Sequence, residues 1–383
     1  MKVAVKVAVI RQRYNPYGGA ERFVERALGA LVADGAEVTL ITRSWEGAET
    51  RTGYQQLLCN PQARGRVARD RSFARCAQAA MLDGDYDITQ SHERIPGCMI
   101  FRAGDGVHAA WLDHLRRVRG PIGRFGLAVN SYHRYVLAAE REMLAHTRLR
   151  AVICNSRMVR DEMLRYHAVP AEQLHVIYNG IDLQRFSPAL ADTYRHARRA
   201  DLGIPQEAPL FLFVGSGFER KGVPQLLRAF AAMQQREAQL LVVGSDRKLA
   251  AARQLAARLG LASRVHFVGP QQDVRPFYGA ADAFALPTLY DPFPNAALEA
   301  LACGLPVLSS STCGVAELIE DGVNGYVRDA LDEAGISNAL DQLVMSAASM
   351  RAAARAVAES LPIEAMAARL MDLYRQLTVR QPS

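Results

Sequence analysis

Short apolar runs alternate along the chain with segments in which apolar side chains recur at helical spacing. Residues 3–10 predict a buried strand, residues 20–34 a helix, and residues 37–43 a second strand. This order is typical of a parallel, doubly wound sheet, in which each helix carries the chain back to the edge where the next strand begins. Further strands of the first half are predicted at residues 86–92, 98–103, 150–156 and 174–180.

The same alternation restarts in the second half. Helices are predicted there at residues 222–235 and 248–260, and two helical stretches at about 330–360 and 363–378 end the chain. The strands carry little polar alternation, as expected when helices cover both faces of a sheet. They are predicted at residues 209–216, 239–245, 264–269, 283–287 and 306–310.

The repeated pattern predicts an α/β protein with two doubly wound, Rossmann-like domains that face an interdomain cleft. A chain of 383 residues also exceeds the size of one ordinary core. The first domain is predicted at residues 1–180 and the second at 181–362, with a C-terminal helix at about 363–383 that packs back on the first. Since ligands of open parallel sheets bind beyond the carboxyl ends of the strands, functional residues should follow strands directly.

Composition indicates a soluble globular protein, with 50% hydrophobic and 22% charged residues. The start of the chain lacks the pattern of a signal peptide, and no apolar run reaches the roughly 18 residues of a spanning helix. We therefore expect a cytoplasmic protein, able to lie on the inner face of the cytoplasmic membrane. The six cysteines form no C-x-x-C pair and no cluster with histidines, so neither a zinc site nor a disulfide framework is expected. The net charge of +7 comes with no nucleic-acid-binding motif, so no nucleic acid partner is expected.

The segment VGSGFERKGV, residues 214–223, follows the first strand of the second domain. Gly215 lies at its start, and the pair Arg220 and Lys221 lies where a phosphate binds at a switch point. Only four of the 46 basic residues are lysines, so a lysine here is unusual for this chain. A solvated basic pair before a helix is the alternative interpretation.

The segment DPFPNAALEALACG, residues 291–304, predicts a helix that starts at about Pro294 or Asn295. Free amides at a helix start favour an anion, and the Glu299 side chain leans back toward that end. Glu299 could then accept both hydroxyls of a ribose, and Asp291 could accept sugar hydroxyls. The alternative is that both acids only complement the helix dipole.

The segment PYGGAERF, residues 16–23, follows the first strand. Gly18 and Gly19 would let the backbone approach an anion closely at the start of the next helix. An ordinary strand-to-helix turn is the competing interpretation.

The chain resembles the family 4 glycosyltransferases of the GT-B fold over most of its length. The segment RAGDGVHAAW, residues 102–111, makes it look most similar to lipopolysaccharide core glucosyltransferases. The matching motifs run in family order: GGAER (18–22), VIYNGIDLQRFSP (176–188), VGSGFERKG (214–222), RVHFVG (264–269), DPFPNAALEALACGLPV (291–307) and GVAELIEDGVNGYV (314–327).

The resemblance implies a role for each matching residue. Arg220 and Lys221 would hold the diphosphate, Glu299 the nucleotide ribose, and Asp291 the donor sugar. The family pattern E-x7-E reads D-x7-E here, so the sugar contact is made by a shorter side chain. The resemblance implies further contacts with the nucleotide-sugar. Arg185 would contact a phosphate, and the backbone at Phe267 and Val268 would contact the base. His108 would face the sugar, and the amides of Phe293, Asn295 and Ala296 would face the phosphates or the sugar.

The implied reaction moves a hexose from a nucleotide-diphosphate sugar, first of all UDP-glucose, to a glycolipid such as lipopolysaccharide core, with retention of anomeric configuration. No metal or other cofactor is expected, so Arg220, Lys221 and helix amides would stabilise the leaving diphosphate, with Asp291 and His108 beside the sugar. Another nucleotide-sugar enzyme, such as a UDP-sugar 2-epimerase, and a non-catalytic nucleotide-sugar sensor are the alternatives.

Residues 111–135 carry five arginines and one aspartate, interleaved with aromatic side chains. This mixture suits an anionic membrane surface or a phosphorylated acceptor. A solvated basic helix is the plainer interpretation. The candidate contacts are Arg116, Arg117, Arg119 and Arg124.

Overall fold

The computed structural model describes residues 5–13, 28–29, 31–33, 35–44 and 53–379. Gly18 and Gly19 lie outside the described residues, as does most of the helix expected at 20–34. The helical assignment of residues 28–29 and 31–33 agrees with that helix where it can be seen.

The chain divides into two compact units, each built on one parallel sheet. The first unit contains the described residues up to Tyr178 together with those from Glu364 on, and the second runs from Asn179 to Ile363. The predicted fold class, α/β with two doubly wound Rossmann-like sheets, is confirmed.

The first unit has a seven-stranded sheet of order β3-β2-β1-β4-β5-β6-β7. Its strands are β1 (Lys6–Ile10), β2 (Glu37–Thr42), β3 (Tyr54–Leu58), β4 (Ile88–Ser91), β5 (Ile100–Arg102), β6 (Ala151–Cys154) and β7 (Leu174–Val176). Its helices are α1 (Arg66–Asp83), α2 (His108–Arg117), α3 (Pro121–Val129), α4 (Ser131–Leu144), α5 (Arg157–Tyr166) and, at the end of the chain, α12 (Ile363–Val379).

The second unit has a six-stranded sheet of order β10-β9-β8-β11-β12-β13. Its strands are β8 (Leu210–Val214), β9 (Gln239–Val243), β10 (Val265–Gly269), β11 (Ala283–Leu286), β12 (Val307–Ser310) and β13 (Gly325–Arg328). Its helices are α6 (Leu190–Asp201), α7 (Val223–Ala232), α8 (Leu249–Arg258), α9 (Arg275–Ala280), α10 (Asn295–Ala302) and α11 (Glu333–Glu359). Short 3₁₀ helices lie at Ala171–Gln173 in the first unit and Gly314–Leu318 in the second.

Both sheets reverse their strand order beside their first strand, which creates a switch point in each. In the first unit β1 lies between β2 and β4, and in the second β8 lies between β9 and β11. The five residues of β8 are all buried, so helices pack on both of its faces. The loops after β8 and β11 therefore leave the same edge of the sheet side by side.

The final helix belongs to the first unit although it follows the second in sequence. Tyr374 of α12 is almost fully buried, and its hydroxyl donates a 2.8 Å hydrogen bond to the side-chain oxygen of Gln90 on β4. Burial raises the pKa of Tyr374, with the Arg102 charge opposing, so the hydroxyl stays protonated and remains a donor.

Cysteine pairing differs from the sequence-based expectation at one place. Cys59, directly after β3, and Cys76 of α1 form a disulfide with a Cα–Cα distance of 5.7 Å. The two are 17 residues apart, and only the packing of α1 beside the end of β3 brings them together. The expectation of no disulfide is therefore wrong for this pair. Cys98, Cys154, Cys303 and Cys313 are buried free thiols, as expected.

Candidate active site

The switch point of the second sheet brings together the residues that the sequence singled out. Arg220 and Lys221 lie in the loop between β8 and α7, and Asp291 lies in the loop between β11 and α10. The carbonyl of Arg220 accepts hydrogen bonds from the Leu289 N–H (2.8 Å) and the Thr288 hydroxyl (2.9 Å), so one loop fixes the other.

Asp291 forms an ion pair with both cations. Its Oδ2 lies 2.9 Å from Nζ of Lys221 and 3.5 Å from Nη1 of Arg220. Arg220 Nη1 also donates to the carbonyl oxygen of Tyr290 at 2.9 Å. A lysine ammonium has three donors, so the bond to Asp291 leaves Lys221 able to bind a phosphate oxygen as well.

The environment of Asp291 keeps its carboxylate charged. Burial alone would raise its pKa, but the Lys221 and Arg220 charges and the Phe293 N–H outweigh burial, and the pKa lies below the ordinary value. The Phe293 amide, which the resemblance assigned to the donor, is thus hydrogen-bonded to Asp291 in the structure. Asp291 is only 6% exposed, so removing its cations would leave a buried charge uncompensated.

Two glycines shape the loop that carries the cations. A Cβ at Gly215 would lie 2.8 Å from Cδ of Lys221, so the lysine side chain runs directly over this glycine. Gly222 has φ +75° and caps α7, and a Cβ there would lie 1.8 Å from the Pro287 carbonyl oxygen. A larger residue at either position would displace the lysine or separate the two loops.

Helix α10 begins at Asn295, as predicted, with Pro294 as its N-cap residue, whose side chain forms no capping hydrogen bond. Asn179 packs at this end and donates from Nδ2 to Oδ1 of Asn295 at 2.6 Å and to the Phe293 carbonyl at 3.4 Å. The start of α10, which includes Asn295 and Ala296, keeps the polarity that favours an anion.

Glu299 lies on the second turn of α10 and is 2% exposed. Its Oε2 accepts a 3.0 Å hydrogen bond from the hydroxyl of Tyr278 on α9. Tyr278 precedes Glu299 by 21 residues and is not among the site residues predicted from the sequence. Its only sequence signal is an aromatic residue shortly before strand β11.

The remaining donor-side predictions lie on other parts of the second unit. Phe267 and Val268 lie on β10, where the register with β9 shifts between Phe267 and Gly269. Their carbonyl oxygens accept from Arg253 at 3.3 Å and Gln271 at 3.1 Å, respectively. A bulge of this kind is frequent beside functional sites, because it takes a residue out of the ladder.

Arg185 is exposed, and its guanidinium lies 5.9 Å from the ring centroid of Phe186. The pKa of Asp273 is lowered, mainly by a hydrogen bond from Arg275, with a contribution from the Arg185 charge. Because Asp273 follows β10, Arg185 lies near the end of that strand.

In the first unit, helix α4 holds His108 at two points. The His108 N–H lies 3.2 and 3.3 Å from the two carboxylate oxygens of Glu140, and His108 Nε2 lies 3.1 Å from Nδ1 of His133. Glu140 is fully buried and also accepts from Nε of Arg94 at 2.5 Å and contacts His167 at 3.1 Å. The sequence did not reveal this network, since its members come from separate elements.

The network sets the charges of Glu140 and His108. Burial raises the pKa of Glu140, but Arg94 and His167 outweigh it and hold that pKa at about 2. Burial lowers the pKa of His108 to about 4, with the Arg94 charge adding to the effect and Glu140 opposing it. His108 is therefore a neutral imidazole at neutral pH, able both to donate and to accept a hydrogen bond.

The basic stretch contains a short helix with an unusual surface. None of the residues of α3 is buried, and Ile122, Phe125 and Val129 are 89%, 70% and 54% exposed. Their spacing of three and four residues puts them on one side of the helix. Tyr132 and Tyr135, by contrast, pack under Arg66 and Arg71, with ring-centroid distances of 3.5 and 5.5 Å.

The four arginines predicted to contact a membrane or acceptor lie on and between α2 and α3. Arg116 pairs with Asp113, and Nε of Arg124 donates to the carbonyls of Arg116 and Arg119 at 3.0 and 2.9 Å. Arg116, Arg117 and Arg124 are exposed and Arg119 is half-buried, so α3 and the segment before it carry exposed positive charge.

A search of the described residues finds no group of three or more His, Cys, Asp or Glu side chains suited to a metal ion. Among the same residues, no helix is both long and apolar enough to cross a bilayer.

Two family models match most of the chain. The model of "Glycosyltransferase Family 4" matches residues 17–185, and that of "Glycosyl transferases group 1" matches residues 195–359. The lipopolysaccharide glucosyltransferase WaaG of Escherichia coli K12 is 28% identical over 327 residues, which cover 84% of each chain. A D-inositol 3-phosphate glycosyltransferase of Xylanimonas cellulosilytica is 27% identical over 396 residues, covering 96% of this chain and 93% of the relative.

Solved structures share the fold. The crystal structure of WaaG, described as a glycosyltransferase involved in lipopolysaccharide biosynthesis, matches with a TM-score of 0.83 at 24% identity over 96% of this chain and 99% of that one. The structure of Anabaena Alr3699/HepE with UDP-glucose matches with a TM-score of 0.71 at 21% identity, over 97% and 99% of the two chains.

Proposed function

The chain belongs to the family 4 glycosyltransferases, and we propose that it transfers glucose from UDP-glucose to a glycolipid such as lipopolysaccharide core, retaining the anomeric configuration. The observation that carries this proposal is the group formed by Arg220, Lys221, Asp291 and the start of α10 at one switch point. Cations and helix amides bind a diphosphate, while Glu299 and Asp291 accept hydroxyls from the ribose and the sugar.

In the proposed reaction the bond between the anomeric carbon and the diphosphate oxygen breaks, and negative charge grows on that oxygen. Lys221, Arg220 and the α10 amides stabilise this charge because they are fixed before the reaction starts. The acceptor hydroxyl attacks from the same face, and its proton passes to the departing phosphate oxygen. The products are a glycoside of unchanged anomeric configuration and UDP.

The carboxylates are assigned to binding, since a double-displacement route needs a nucleophile on the opposite sugar face. Asp291 is engaged with Lys221 and Arg220, which suits a residue that orders the cations and contacts the sugar. His108 is neutral and held by α4, so its imidazole can donate a hydrogen bond to a hydroxyl of the nucleotide-sugar or accept one from it.

Two acceptor classes deserve separate tests. Similarity to WaaG favours a lipopolysaccharide-type glycolipid, and similarity to the inositol-phosphate enzyme over nearly the whole chain favours a phosphorylated inositol. Both acceptors carry phosphate, which the arginines beside α3 could bind.

The test is a transfer assay with the purified chain. UDP-glucose, UDP-galactose, GDP-mannose and heptose donors are each offered with a lipopolysaccharide core acceptor or D-inositol 3-phosphate, and nucleoside diphosphate release is measured. We expect UDP-glucose with the glycolipid to react fastest, and the NMR spectrum of the product to show the donor's anomeric configuration. An inverted product would rule out the same-face reaction, and faster transfer to inositol phosphate would replace the acceptor assignment.

We also propose that α3 rests on the anionic inner surface of the cytoplasmic membrane. A helix with an exposed apolar side and exposed arginines on and before it combines the two contributions that interfacial helices use, burial of apolar area and attraction to anionic lipid. A peripheral enzyme at this surface would meet a glycolipid acceptor in the plane where that acceptor lies.

A further inference from the structure

Tyr278 lies against the carboxylate to which the proposed function assigns the nucleotide ribose. We infer that Tyr278 is a positioning residue for the donor nucleotide: its hydroxyl fixes the Glu299 carboxylate in the orientation that accepts both ribose hydroxyls. The inference rests on the proposed function, because it takes Glu299 as the ribose contact.

The geometry around the hydroxyl is specific. The Tyr278 oxygen lies 3.0 Å from Oε2 of Glu299 and 3.0 Å from the carbonyl oxygen of Ala296 on the same helix. A phenol has one proton, and a charged acceptor forms the stronger hydrogen bond, so the bond to Glu299 dominates. The Ala296 contact keeps the hydroxyl beside the first turn of α10.

The ring of Tyr278 is held on several sides. It is 1% exposed, stacks on Phe284 of β11 at 6.2 Å, and meets Phe186 edge-on at 5.8 Å. A Cβ on the neighbouring Gly279 would lie 2.3 Å from the Leu190 carbonyl, so α9 packs tightly against α6 at this point. The hydroxyl therefore has little freedom to follow a moving carboxylate.

The end of α9 is anchored in the same way. Arg199 is fully buried, donates from Nε to the Ala280 carbonyl at 2.9 Å, and pairs with Asp282 at 2.8 Å. Asp282 in turn accepts from the Leu210 N–H at the start of β8 at 2.8 Å. The support of Tyr278 thus extends into the central strand of the sheet.

A hydrogen bond that fixes Oε2 of Glu299 also fixes the directions in which the carboxylate can accept further hydrogen bonds. The terminal torsion of a glutamate is broad, so each hydrogen bond to the carboxylate narrows the range of orientations that it samples. A carboxylate can accept about four hydrogen bonds, and with Oε2 oriented by Tyr278 its other sites keep a constant direction. Two adjacent ribose hydroxyls can then bind without first ordering the side chain, which lowers the cost of binding.

Affinity for UDP and for 2′,3′-dideoxy-UDP, measured by calorimetry on the full chain, tests the inference. Wild type should prefer UDP by roughly tenfold or more, since hydrogen bonds to a charged group are at stake. Tyr278→Phe keeps the ring but loses the hydroxyl. It should weaken UDP binding by about three- to tenfold and leave the dideoxy nucleotide almost unaffected, so that the preference shrinks.

Two further variants separate positioning from general packing. Tyr374→Phe also removes a buried tyrosine hydroxyl, the one bound to Gln90 in the first unit, and should leave the preference for UDP unchanged. In a Glu299→Gln background, removal of the Tyr278 hydroxyl should have a much smaller effect on UDP affinity, because the two residues act together.

The outcomes separate a failure of the proposed function from a failure of the positioning role of Tyr278. If wild type fails to bind UDP, the proposed function falls, and this inference falls with it. If wild type prefers UDP and Tyr278→Phe keeps that preference, or weakens both nucleotides equally, the positioning role alone is overturned. A smaller preference for UDP over the dideoxy nucleotide in Tyr278→Phe, together with the wild-type preference in Tyr374→Phe, supports the positioning role.

Discussion

The ammonium of Lys221 lies 2.9 Å from Oδ2 of Asp291, so the cation proposed for the diphosphate and the acid proposed for the sugar form one ion pair. The pair is largely shielded, with 12% and 8% of the two side chains exposed. Each residue therefore stabilises the other before any ligand arrives, and substitutions will affect stability and catalysis together unless they are designed to separate the two.

Lys221→Met should lower kcat/KM by about 10²- to 10³-fold, because the leaving diphosphate loses a fixed positive charge. The same change should lower the free energy of unfolding by about 1–3 kcal/mol, since Asp291 loses its nearest cation. Urea unfolding and a transfer assay measure the two effects.

Adding Asp291→Asn to Lys221→Met should recover most of the lost stability but not the activity, because a neutral amide needs no cation. Lys248→Met is the matched control: Lys248 is an exposed lysine of the same unit that pairs with Glu219, and its loss should change kcat/KM less than threefold. Recovery of activity in the double variant would remove Lys221 from the mechanism.

Asp291→Asn alone should bind UDP at least as tightly as wild type, because a negative charge near the diphosphate is removed. Transfer should nevertheless slow by roughly 10- to 100-fold, as the sugar loses a charged hydrogen-bond acceptor. Calorimetry with UDP and turnover with UDP-glucose test the two halves. Wild-type turnover in this variant would argue against any contact between Asp291 and the sugar.

The unfolding free energy should fall on acidification partly through His108. Burial holds the pKa of folded His108 at about 4, and the unfolded value is about 6.5, so the unfolded chain takes up the proton first. The contribution is complete above pH 6.5 and is lost as the pH falls toward 4. Between pH 6.5 and 4, the free energy of unfolding of wild type should fall by up to about 3 kcal/mol more than that of His108→Gln. Parallel pH profiles in urea unfolding would contradict the depressed pKa.

The double variant Ile122→Ser/Phe125→Ser should bind anionic vesicles at least about tenfold more weakly than wild type, because two apolar side chains leave the interface. Met345→Ser is the control, since Met345 is 78% exposed on the second unit. Cosedimentation with neutral and anionic vesicles at low and high salt measures both contributions. Binding that ignores lipid charge would dismiss the electrostatic part.

The sequence predicted the fold most accurately where burial dominates. The wholly buried strand β8 stood out as an apolar run, whereas β3, with four exposed residues and two glutamines, did not. Edge strands such as β3 and β13 lack the two covered faces that produce a continuous apolar pattern. Arg220, Lys221 and Asp291 could be grouped in advance, because their loops follow strands that a doubly wound sheet makes neighbours.

Contacts between distant elements were not readable in the same way. Tyr278 contacts Glu299, and Glu140 contacts both Arg94 and His108, only once the helices have packed together. No local sequence motif predicts these pairs. The Cys59–Cys76 disulfide has the same origin. Residue type predicts that a buried glutamate needs donors, but the identity of the donors comes from tertiary structure.

The bond from Tyr374 to Gln90 has a consequence for synthesis on the ribosome. As the chain emerges from the ribosome, strands β1–β7 appear before the second unit, but helix α12, which covers their sheet, is translated only after the second unit. The second unit is contiguous in sequence, so it can fold completely before α12 has been synthesised and the first unit can be completed. A nascent chain halted before residue 364 would therefore carry a complete second unit and an incomplete first unit.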